Sequence, residues 1–550
     1  MPDFNSDPHT PSVAMPLPRS PIIGRARAIA RASEILLQQR VGMLTMTGPP
    51  GIGKTRLALQ VSAELPHAFD HGVVFVPLAK LQRVDEVPSA IAAALSLGEG
   101  AYQSPEERLR SSLVHKELLL VLDNCEHLVG AGPFLADLLA NCPALKILAT
   151  SRSSFRITSE HDFPVPPLDL PDPARSYSLG DLVETPAVAL FVQRATEVDP
   201  SFALSHQNAA DVVEICSRLD GLPLAIELAA ARTRMLAPAT LRTRLVNRLL
   251  LLTDGPRDQP PRLRSMRDAV AWSYDLLSPE EQAHFRLLSV FADGICPDAV
   301  TAIALWLESQ GSVDLAESFL ERSPAVPSPS LFRLGTSLVE KSLVQPIGEA
   351  AGHPRFQMLE TIREFGLEQL AATGEECPVR DAHARTFLAL AECAAPDLRG
   401  QDQACWFKRL EADHANLLAA LDWLQARGEL TAALRLATAM GRFWEARGHL
   451  NEGRSRLIDL LQEVDQAPGA DVPPSVRASA ESWAGVLAHW QGDYLEADRL
   501  FELALLHHEY VGDERGIAFT LLNLGQSATC QGKLDLGRQL IEQSLILFQH

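Results

Sequence analysis

Short apolar runs alternate with amphipathic stretches along the first third of the chain. Residues 41–47, 118–122 and 145–150 form predominantly apolar runs of strand length, as expected for strands that are covered on both faces of a sheet. Residues 55–65 follow the first run and have the pattern of a helix. This alternation predicts an α/β domain with a parallel sheet over residues 21–175.

The pattern becomes predominantly helical beyond a Pro-rich stretch that ends this domain. It predicts a helical domain at 176–260, with apolar residues recurring on one face. Two short strands around a Gly-rich turn, preceded by a well-capped helix, predict a winged-helix domain at 261–375. Residues 1–20 are Pro-rich and predict a disordered lead.

Residues 376–550 are helical and repetitive. Similar segments begin at Gly448, Gly492 and Gly532, at offsets of 44 and 40 residues. They predict an α-solenoid of tetratricopeptide-like repeats, with a period longer than the usual one of roughly 34 residues. The last segment ends without a polar capping helix, so we expect the array to be incomplete.

Composition narrows the function classes. The formal net charge of −20 argues against a chain that coats nucleic acid or an anionic membrane by itself. The eight cysteines form no C-x-x-C pair, which argues against a cysteine zinc site or a disulfide framework. No apolar run reaches the roughly 18 residues of a spanning helix, and the N-terminus does not have the pattern of a signal peptide. We therefore expect a cytoplasmic protein that does not enter a membrane.

The stretch LTMTGPPGIGKTRLALQV carries the strongest motif, G-x-x-x-x-G-K-[ST]. Glycines let the backbone turn tightly and direct N–H groups at phosphate oxygens, and the following helix N-terminus adds positive potential. Lys54 would reach the β- and γ-phosphates, and the Thr55 hydroxyl would bind Mg²⁺. The predicted cofactor-binding residues of this stretch are Gly48, Pro49, Pro50, Gly51, Ile52, Gly53, Lys54, Thr55 and Arg56.

Two later strands supply partners for this loop. Asp123 ends the second apolar run, where it would hold Mg²⁺ through water, so Thr55 and Asp123 are the candidate metal ligands. Arg152 follows the third run and could report a γ-phosphate. The residue after Asp123 is Asn124, which cannot take a proton from water, and Glu126 is the available substitute. The candidate catalytic residues are Lys54, Asp123, Glu126 and Arg152, and slow hydrolysis is favoured over fast turnover.

Several stretches in their order resemble the STAND class of signalling ATPases, the relatives of NB-ARC proteins. They are PIIGRARAIARA, GPPGIGKTRLAL, LLLVLDNCEHL, ILATSR, CSRLDGLPLAIELAAAR, MRDAVAWSYDLLSPEEQAHFRLLSVFADG and FQMLETIREFGLEQL. The chain is similar to large bacterial ATP-binding regulators, many of which carry a LuxR-type helix-turn-helix. The resemblance implies ATP or ADP with Mg²⁺ as cofactors.

The same resemblance assigns residues outside the loop. It implies that Ile23, Gly24 and Arg25 flank the adenine and that Pro223, in a G-x-P turn, packs on the base. Many NB-ARC relatives use a histidine in an M-H-D triplet to sense ADP. The matching residue here is Leu359, which cannot donate a hydrogen bond, so other residues would have to couple this region to ADP.

Three functions remain open from the sequence. The first is a nucleotide-gated signal-transduction ATPase, with transcriptional control as output, ATP-dependent homo-oligomerisation, and an inducer or protein partner on the repeat array. In that case DNA would be bound only through an output domain absent from these residues. The second is an ordinary fast-turnover NTPase, against which Asn124 speaks. The third is a repeat-based binding scaffold with a structural nucleotide.

Overall fold

The computed structural model describes residues 22–549 with internal gaps. The gaps are residues 80, 82, 98–103, 173, 174, 176, 246, 247, 254–263, 310–314, 316–328 and 468–470. The predicted disordered lead, residues 1–20, therefore lies outside the described residues. Contacts divide the chain into two compact units. The first is Met1–Phe285 with Arg333–Gln345 and Leu359–Glu368, and the second is Arg286–Phe332 with Pro346–Met358 and Gln369–His550.

The first unit contains a five-stranded sheet in which every neighbouring pair is parallel. Its strands are β1 (Met43–Thr47), β2 (Val73–Pro77), β3 (Leu118–Asp123), β4 (Leu145–Thr150) and β5 (Glu160–Pro164). Their order is β2-β3-β4-β1-β5. The predicted parallel sheet is thus confirmed. Because β4 lies between β1 and β3, the carboxyl ends of these three strands meet at one edge, which becomes the site described below.

Five α-helices that the structure describes precede or connect the first four strands of this sheet. They are α1 (Ala26–Leu36), α2 (Lys54–Glu64), α3 (Val87–Ala94), α4 (Pro105–Leu113) and α5 (Gly132–Asn141). Strand β3 is buried at all six positions, which explains its uninterrupted apolar run. The start of α4 is set by Ser104, whose hydroxyl accepts from the amide of Glu107 while that glutamate caps in return.

Further helices complete the first unit. They are α6 (Leu179–Glu184), α7 (Pro186–Val198), α8 (Ala209–Arg218), α9 (Pro223–Ala230), α10 (Pro238–Arg244), α11 (Arg248–Leu251) and α12 (Met266–Asp275), and then α13 (Pro279–Leu288), which crosses into the second unit. Ser265 caps α12 by accepting from the amide of Asp268. The later segments of the unit contribute helices that are named with the second unit below.

After the end of α13, the second unit contains α14 (Pro297–Glu308) and a two-stranded sheet. Helix α15 (Pro329–Glu340) precedes this sheet and lies mainly in the first unit. Helix α16 (Glu360–Ala372) follows the sheet, and its start also lies in the first unit. The strands β6 (Gln345–Ala350) and β7 (His353–Gln357) are joined by Ala351 and Gly352, both at positive φ. The Gly-rich turn predicted between two short strands is present. The domain boundaries at 175, 260 and 375 stay predictions.

Nine helices form the rest of the second unit in the described part of the chain. They are α17 (Glu376–Ala394), α18 (Gln403–Ala412), α19 (His414–Ala426), α20 (Leu430–Arg447), α21 (Leu450–Gln466), α22 (Pro474–Trp490), α23 (Tyr494–Val511), α24 (Glu514–Cys530) and α25 (Leu534–Gln549). Among the described residues, no helix combines the length and apolarity that a bilayer crossing requires.

The repeat glycines occupy equivalent places in this array. Gly448, Gly492 and Gly532 separate α20 from α21, α22 from α23 and α24 from α25, with φ of 81°, 79° and 80°. The left-handed backbone lets one helix stop and the next one begin, and glycine adopts it at no steric cost. The sequence period therefore marks helix pairs. The tetratricopeptide-like classification of these pairs stays a prediction.

Candidate nucleotide-binding site

The loop between β1 and α2 has the backbone of a phosphate-binding turn. Gly48, Gly51 and Gly53 have φ of 149°, 77° and 93°, a region that disfavours other residues. A Cβ at Gly53 would meet no atom within 4 Å, so the space beside the first turn of α2 is open. That helix begins at Lys54, and its first N–H groups lack intrahelical partners. The loop thus offers N–H donors to an anion.

The side chain of Lys54 folds back on this loop. Its Nζ donates to the carbonyl oxygens of Gly48 at 2.7 Å and Pro49 at 3.2 Å. Its pKa is lowered from 10.5 to about 8, mainly by burial; Glu126 and Asp123 oppose this shift, and the charge of Arg152 adds to it. A bound phosphate group would place negative charge beside this ammonium and so stabilise its charged form. The four predicted catalytic residues are therefore close enough to interact.

Asp123 is the centre of the polar contacts at the sheet edge. Its Oδ1 accepts from the hydroxyls of Thr55 and Thr150, both at 2.6 Å. Its Oδ2 accepts from the side-chain amide of Asn124 at 2.9 Å. Thr55 and Asp123, the predicted metal ligands, thus present oxygen atoms side by side, and oxygen is the donor that Mg²⁺ prefers.

Asn124 is committed to holding this arrangement. It has φ of 65°, a left-handed conformation that asparagine tolerates better than most residues. Its backbone N–H donates to the Thr150 hydroxyl at 2.9 Å, and its side chain bonds Asp123. Sequence reasoning did not identify Thr150, because nothing in its local pattern shows that it would bridge two residues of a neighbouring strand.

Glu126 and Arg152 form a buried pair beside Lys54. Their side chains are 8 % and 6 % exposed, and Arg152 Nη2 lies 3.3 Å from Glu126 Oε1. The second oxygen, Glu126 Oε2, is buried and makes no hydrogen bond to any described residue. The pair places one acceptor and one cation near the loop. Their predicted roles, as substitute for a catalytic carboxylate and as reporter of a γ-phosphate, stay predictions.

A cleft adjoins the loop on the side where the resemblance places adenine. The cleft is partly open to solvent. Six of the predicted residues line it together with Ile22, Leu168, Leu190 and Glu227, namely Ile23, Arg25, Ile52, Gly53, Arg56 and Pro223. The isoleucines, leucines and proline among these residues suit the faces of a base.

Two of the predicted adenine neighbours have structural contacts of their own. Arg25 is 5 % exposed and donates to the carbonyl oxygens of Pro166 and Ile52, so it ties the entry segment to the loop. Gly24 has φ of 66°, and a Cβ there would lie 2.3 Å from Cβ of Pro186. Its role is to let the chain approach Pro186 closely, whether or not it also contacts a base.

The turn before α9 is bonded to the phosphate loop. The amide of Leu224 donates to the carbonyl of Gly51 at 3.2 Å. Gly221, at φ of 63°, allows Leu168 to donate to its carbonyl at 2.9 Å, and a Cβ there would lie 2.4 Å from the Leu168 oxygen. Thus Pro223 is fixed against the loop from two sides. The sequence marked this turn through its Gly and Pro.

Arg56 forms an ion pair with Glu227, a residue that the sequence pattern did not identify as part of the site. Its Nη1 lies 3.3 Å from Glu227 Oε1, and Arg194 Nη2 lies 2.9 Å from the same oxygen. Glu227 therefore joins α2 to α7 and α9 along one side of the cleft. Its position in an Ala-rich helix gave no sign of this, since the contact depends on how three helices pack.

Leu359 is buried, as its apolar side chain requires, and a different residue reaches the start of α16. Asp220 Oδ2 accepts from the amide of Thr361 at 3.4 Å. The pKa of Asp220 is raised to about 6, mainly by burial; the Thr361 amide opposes this shift, and the charge of Glu360 adds to it. Since Gly221 follows directly, Asp220 links the turn at the phosphate loop to α16 within the first unit.

Comparison with known proteins agrees with this geometry. A family model described as "AAA domain" matches residues 37–158, which contain the loop, Asp123 and Arg152. The chain is 36 % identical over 462 residues to "Putative HTH-type transcriptional regulator Rv0890c" of Mycobacterium tuberculosis. That alignment covers 83 % of this chain and 48 % of the relative, so the chain spans about half the length of such relatives.

Two further proteins extend the comparison. Regulatory protein AfsR of Streptomyces coelicolor is 26 % identical over 601 residues, covering 97 % of this chain and 57 % of its own. The solved structure of a STAND protein with a tetratricopeptide repeat sensor, from Pyrococcus horikoshii, is 14 % identical and covers 97 % of this chain and 78 % of its own. Its TM-score is 0.28, too low to support a structural argument.

One relative matches over most of its own length. "Uncharacterized protein Rv0894" of Mycobacterium tuberculosis is 34 % identical over 354 residues, which are 64 % of this chain and 82 % of that protein. This chain also has a parallel sheet with a P-loop, and the family model for an AAA domain matches that part of it. The chain therefore belongs to the same protein family as Rv0894, and its residues 37–158 are an AAA domain.

Proposed function

We propose that this protein is a nucleotide-switched ATPase of the STAND type that regulates transcription. The proposal rests first on the convergence of Lys54, Thr55 and Asp123 beside an open glycine loop. It rests second on relatives that carry the name of regulators. The LuxR-type and NB-ARC-like affiliations are part of the proposal.

One observation favours a switch over a simple nucleotide-hydrolysing enzyme. The phosphate loop is bonded to the turn before α9 through Gly51 and Leu224. From that turn, Asp220 reaches the amide of Thr361 at the start of α16. These two hydrogen bonds connect the loop to a helix far along the chain, and we propose that a change at the loop is passed along them.

The residues present fit Mg-nucleotide. Bound Mg²⁺ would neutralise phosphate charge and polarise the terminal phosphoryl group. Lys54 would leave the carbonyls of Gly48 and Pro49 and turn its charge to the phosphates. Thr55 and Asp123 would hold the metal, and Asp123 is kept in place by Thr150 and Asn124.

Slow hydrolysis follows from the same contacts. Asn124 cannot accept a proton, and its amide already bonds Asp123. Glu126 is the nearest alternative base, but its Oε1 is paired with Arg152. Only the second oxygen, Glu126 Oε2, would be left to accept a proton from water. A slow step suits a switch, because the bound state must last long enough to be read.

The repeat helices of the second unit would sense the inducer or a partner protein. A ligand shifts such an equilibrium only if it binds one nucleotide state better than the other. The ATP state would assemble into a homo-oligomer, which is the expectation for this class. With a net charge of −20, we assign DNA binding to another domain or chain, not to these residues.

Light scattering after size-exclusion chromatography tests the proposal, with ADP and then ATP. We expect one mass with ADP and a larger one with ATP. The variant Lys54→Ala should bind neither nucleotide in isothermal titration and keep one mass throughout. Steady-state phosphate release should be slow without inducer. Fast release would instead favour an ordinary NTPase, and tight nucleotide with an unchanging mass would favour a scaffold.

A further inference from the structure

Two histidines and a glutamate converge within the repeat helices of the second unit. His414 begins α19, His449 directly precedes α21, and Glu452 lies in the first turn of α21. Each offers one donor atom, and these atoms all lie within 4.8 Å of one another. Nε2 of His414 is 3.5 Å from Oε2 of Glu452, and the two imidazole centroids are 4.5 Å apart.

The backbone at both histidines is held firmly. Asp413, directly before His414, is 2 % exposed and pairs with Arg355 at 2.6 Å. The amide of His449 donates to the carbonyl of Trp444 at 3.0 Å, closing the end of α20. Both imidazoles are therefore placed by fixed helix ends, and Glu452 follows His449 by one helical turn. A ligand set on rigid elements needs little reorganisation to bind an ion.

One donor in this cluster makes no hydrogen bond within the described part of the chain. Nε2 of His414 is buried and makes no hydrogen bond to any residue that the structure describes. Buried polar atoms are normally satisfied, so this nitrogen has room for a further ligand. A second carboxylate stands behind the cluster, since Oε1 of Glu411 lies 3.8 Å from Nε2 of His449. Its negative charge would favour a cation bound nearby.

The donor set selects the class of ion. Imidazole nitrogens favour Zn²⁺ and similar transition metals, whereas Mg²⁺ and Ca²⁺ prefer oxygen alone. Two ligands at about 2.0 Å from a tetrahedral zinc ion lie about 3.3 Å apart. The 3.5 Å between His414 and Glu452 is already close to that value. We propose that His414, His449 and Glu452 bind one Zn²⁺-like ion, with water at the fourth position, and so join α19 to α21.

Aromatic packing alone does not account for the cluster. The ring of Phe443 lies 5.4 Å from His414 and 5.6 Å from His449, which explains why both side chains are aromatic. It does not explain why the carboxylate of Glu452 lies 3.5 Å from Nε2 of His414. A second group of three donors, Cys296, Asp298 and His353, is a weaker candidate. There the guanidinium of Arg409 lies 3.7 Å from Asp298 and would oppose a cation.

Cobalt titration of the full chain tests the site, because Co²⁺ replaces Zn²⁺ and gives visible ligand-field bands. The protein is first stripped with a chelator and kept free of nucleotide. We expect one equivalent of Co²⁺ with bands of a nitrogen and oxygen site and no thiolate charge-transfer band. Zn²⁺ added afterwards should displace it and raise the thermal unfolding temperature.

Three variants make the assignment specific. Glu452→Gln and His449→Gln alter half-exposed side chains, and each should weaken binding at least tenfold. His206→Gln, at an exposed histidine of the first unit, should bind as the wild type does. Circular dichroism melts without metal verify that all three are folded. Cobalt binding that is absent in the wild type, unchanged in both site variants, or accompanied by a thiolate charge-transfer band would overturn the proposal.

Discussion

The hydroxyl of Thr55 donates to Oδ1 of Asp123 across 2.6 Å and so joins the first turn of α2 to the end of β3. A second hydroxyl, from Thr150 on β4, reaches the same oxygen at the same distance. Two hydroxyl groups of the protein thus bond α2 and β4 to the one carboxylate at the end of β3. The metal-binding half of the site is preorganised, whereas Lys54 must move.

Removing the Thr55 hydroxyl should weaken nucleotide binding only when Mg²⁺ is present. For Thr55→Ala we expect a loss of about 10- to 100-fold in ATP affinity with Mg²⁺, equivalent to about 1.5–3 kcal/mol, and little change in EDTA. Isothermal titration under both conditions measures the difference. Thr55→Ser retains the hydroxyl and is the control. Equal losses with and without Mg²⁺ would assign Thr55 to the phosphate and not to the metal.

Nucleotide affinity should fall as the pH rises above about 8. Burial lowers the pKa of Lys54 from 10.5 to about 8, so the free protein loses this proton early, while the phosphate-bound lysine stays charged. Above pH 8 binding must take up a proton, and affinity drops by up to about tenfold per pH unit. Titrations at pH 9 in buffers of different ionisation heat detect the uptake. Lys54→Arg should show neither effect.

Gly221 should be far less replaceable than a glycine at a similar angle elsewhere. In Gly221→Ala the new Cβ would lie 2.4 Å from the Leu168 carbonyl oxygen at φ of 63°. Gly428 has φ of 71°, but its Cβ would meet nothing within 4 Å. We expect a loss of about 1 kcal/mol for Gly428→Ala and about 3 kcal/mol or more for Gly221→Ala. Urea denaturation decides, and equal losses would show that backbone strain alone matters.

The fold could be predicted from the sequence where burial makes strands uninterrupted and apolar. That was true of β1, β3 and β4, which differ from the expected ranges by two residues or fewer. It was not true of β5, whose sequence Glu160–Pro164 is polar. This strand lies at the edge of the sheet, and its acids are used there, since Asp162 accepts from the Thr47 hydroxyl at 2.7 Å. A rule that predicts strands from uninterrupted apolar runs therefore misses an edge strand whose residues are polar.

The site was predictable only where its residues are consecutive or end a strand. Lys54, Thr55 and Asp123 follow from a motif and from strand polarity. Thr150 and Glu227 did not, because their roles come from contacts between elements that are 26 or more residues apart in sequence. The repeat glycines were detected through their spacing, but only packing shows which of them adjoin a neighbouring side chain.

Replacing Asp220 by asparagine should stabilise the protein at neutral pH. Burial raises the pKa of Asp220 from 3.8 to about 6, so the folded state binds more protons than the unfolded state between these values. Its contribution to the free energy of unfolding therefore falls as pH rises from about 4 to 6, and the full penalty remains above that. An asparagine side chain at this position would carry no charge and could still accept from the amide of Thr361.

We expect Asp220→Asn to gain about 1–2 kcal/mol at pH 7, discounted for partial exposure, and nothing at pH 4. Chemical denaturation at the two pH values provides the measurement. Asp220→Ala lacks the acceptor as well as the charge and should not share the gain. A destabilised asparagine variant at pH 7 would mean that the carboxylate, and not merely an acceptor, is required at the start of α16.

Close packing between paired helices should make Gly485 sensitive to a single methyl group. A Cβ at Gly485 on α22 would lie 2.6 Å from the ring of Phe501 on α23, and that ring is fully buried. Gly525, forty residues later, stands in the same relation to Ile541 at 2.7 Å. We expect Gly485→Ala to lower the free energy of unfolding by about 1–3 kcal/mol through overpacking. Thermal denaturation followed by circular dichroism measures it.

A compensating substitution separates overpacking from helix propensity. Alanine favours a helix more than glycine, so propensity alone would make Gly485→Ala stabilising by about 1 kcal/mol. Shrinking the opposing ring with Phe501→Leu should leave room for the methyl group. The double variant should then be more stable than the sum of the single losses predicts, with a coupling of about 0.5–3 kcal/mol. Strict additivity would mean that the two helices do not meet at these residues, and the assignment of α22 and α23 to one packed repeat would fail with it.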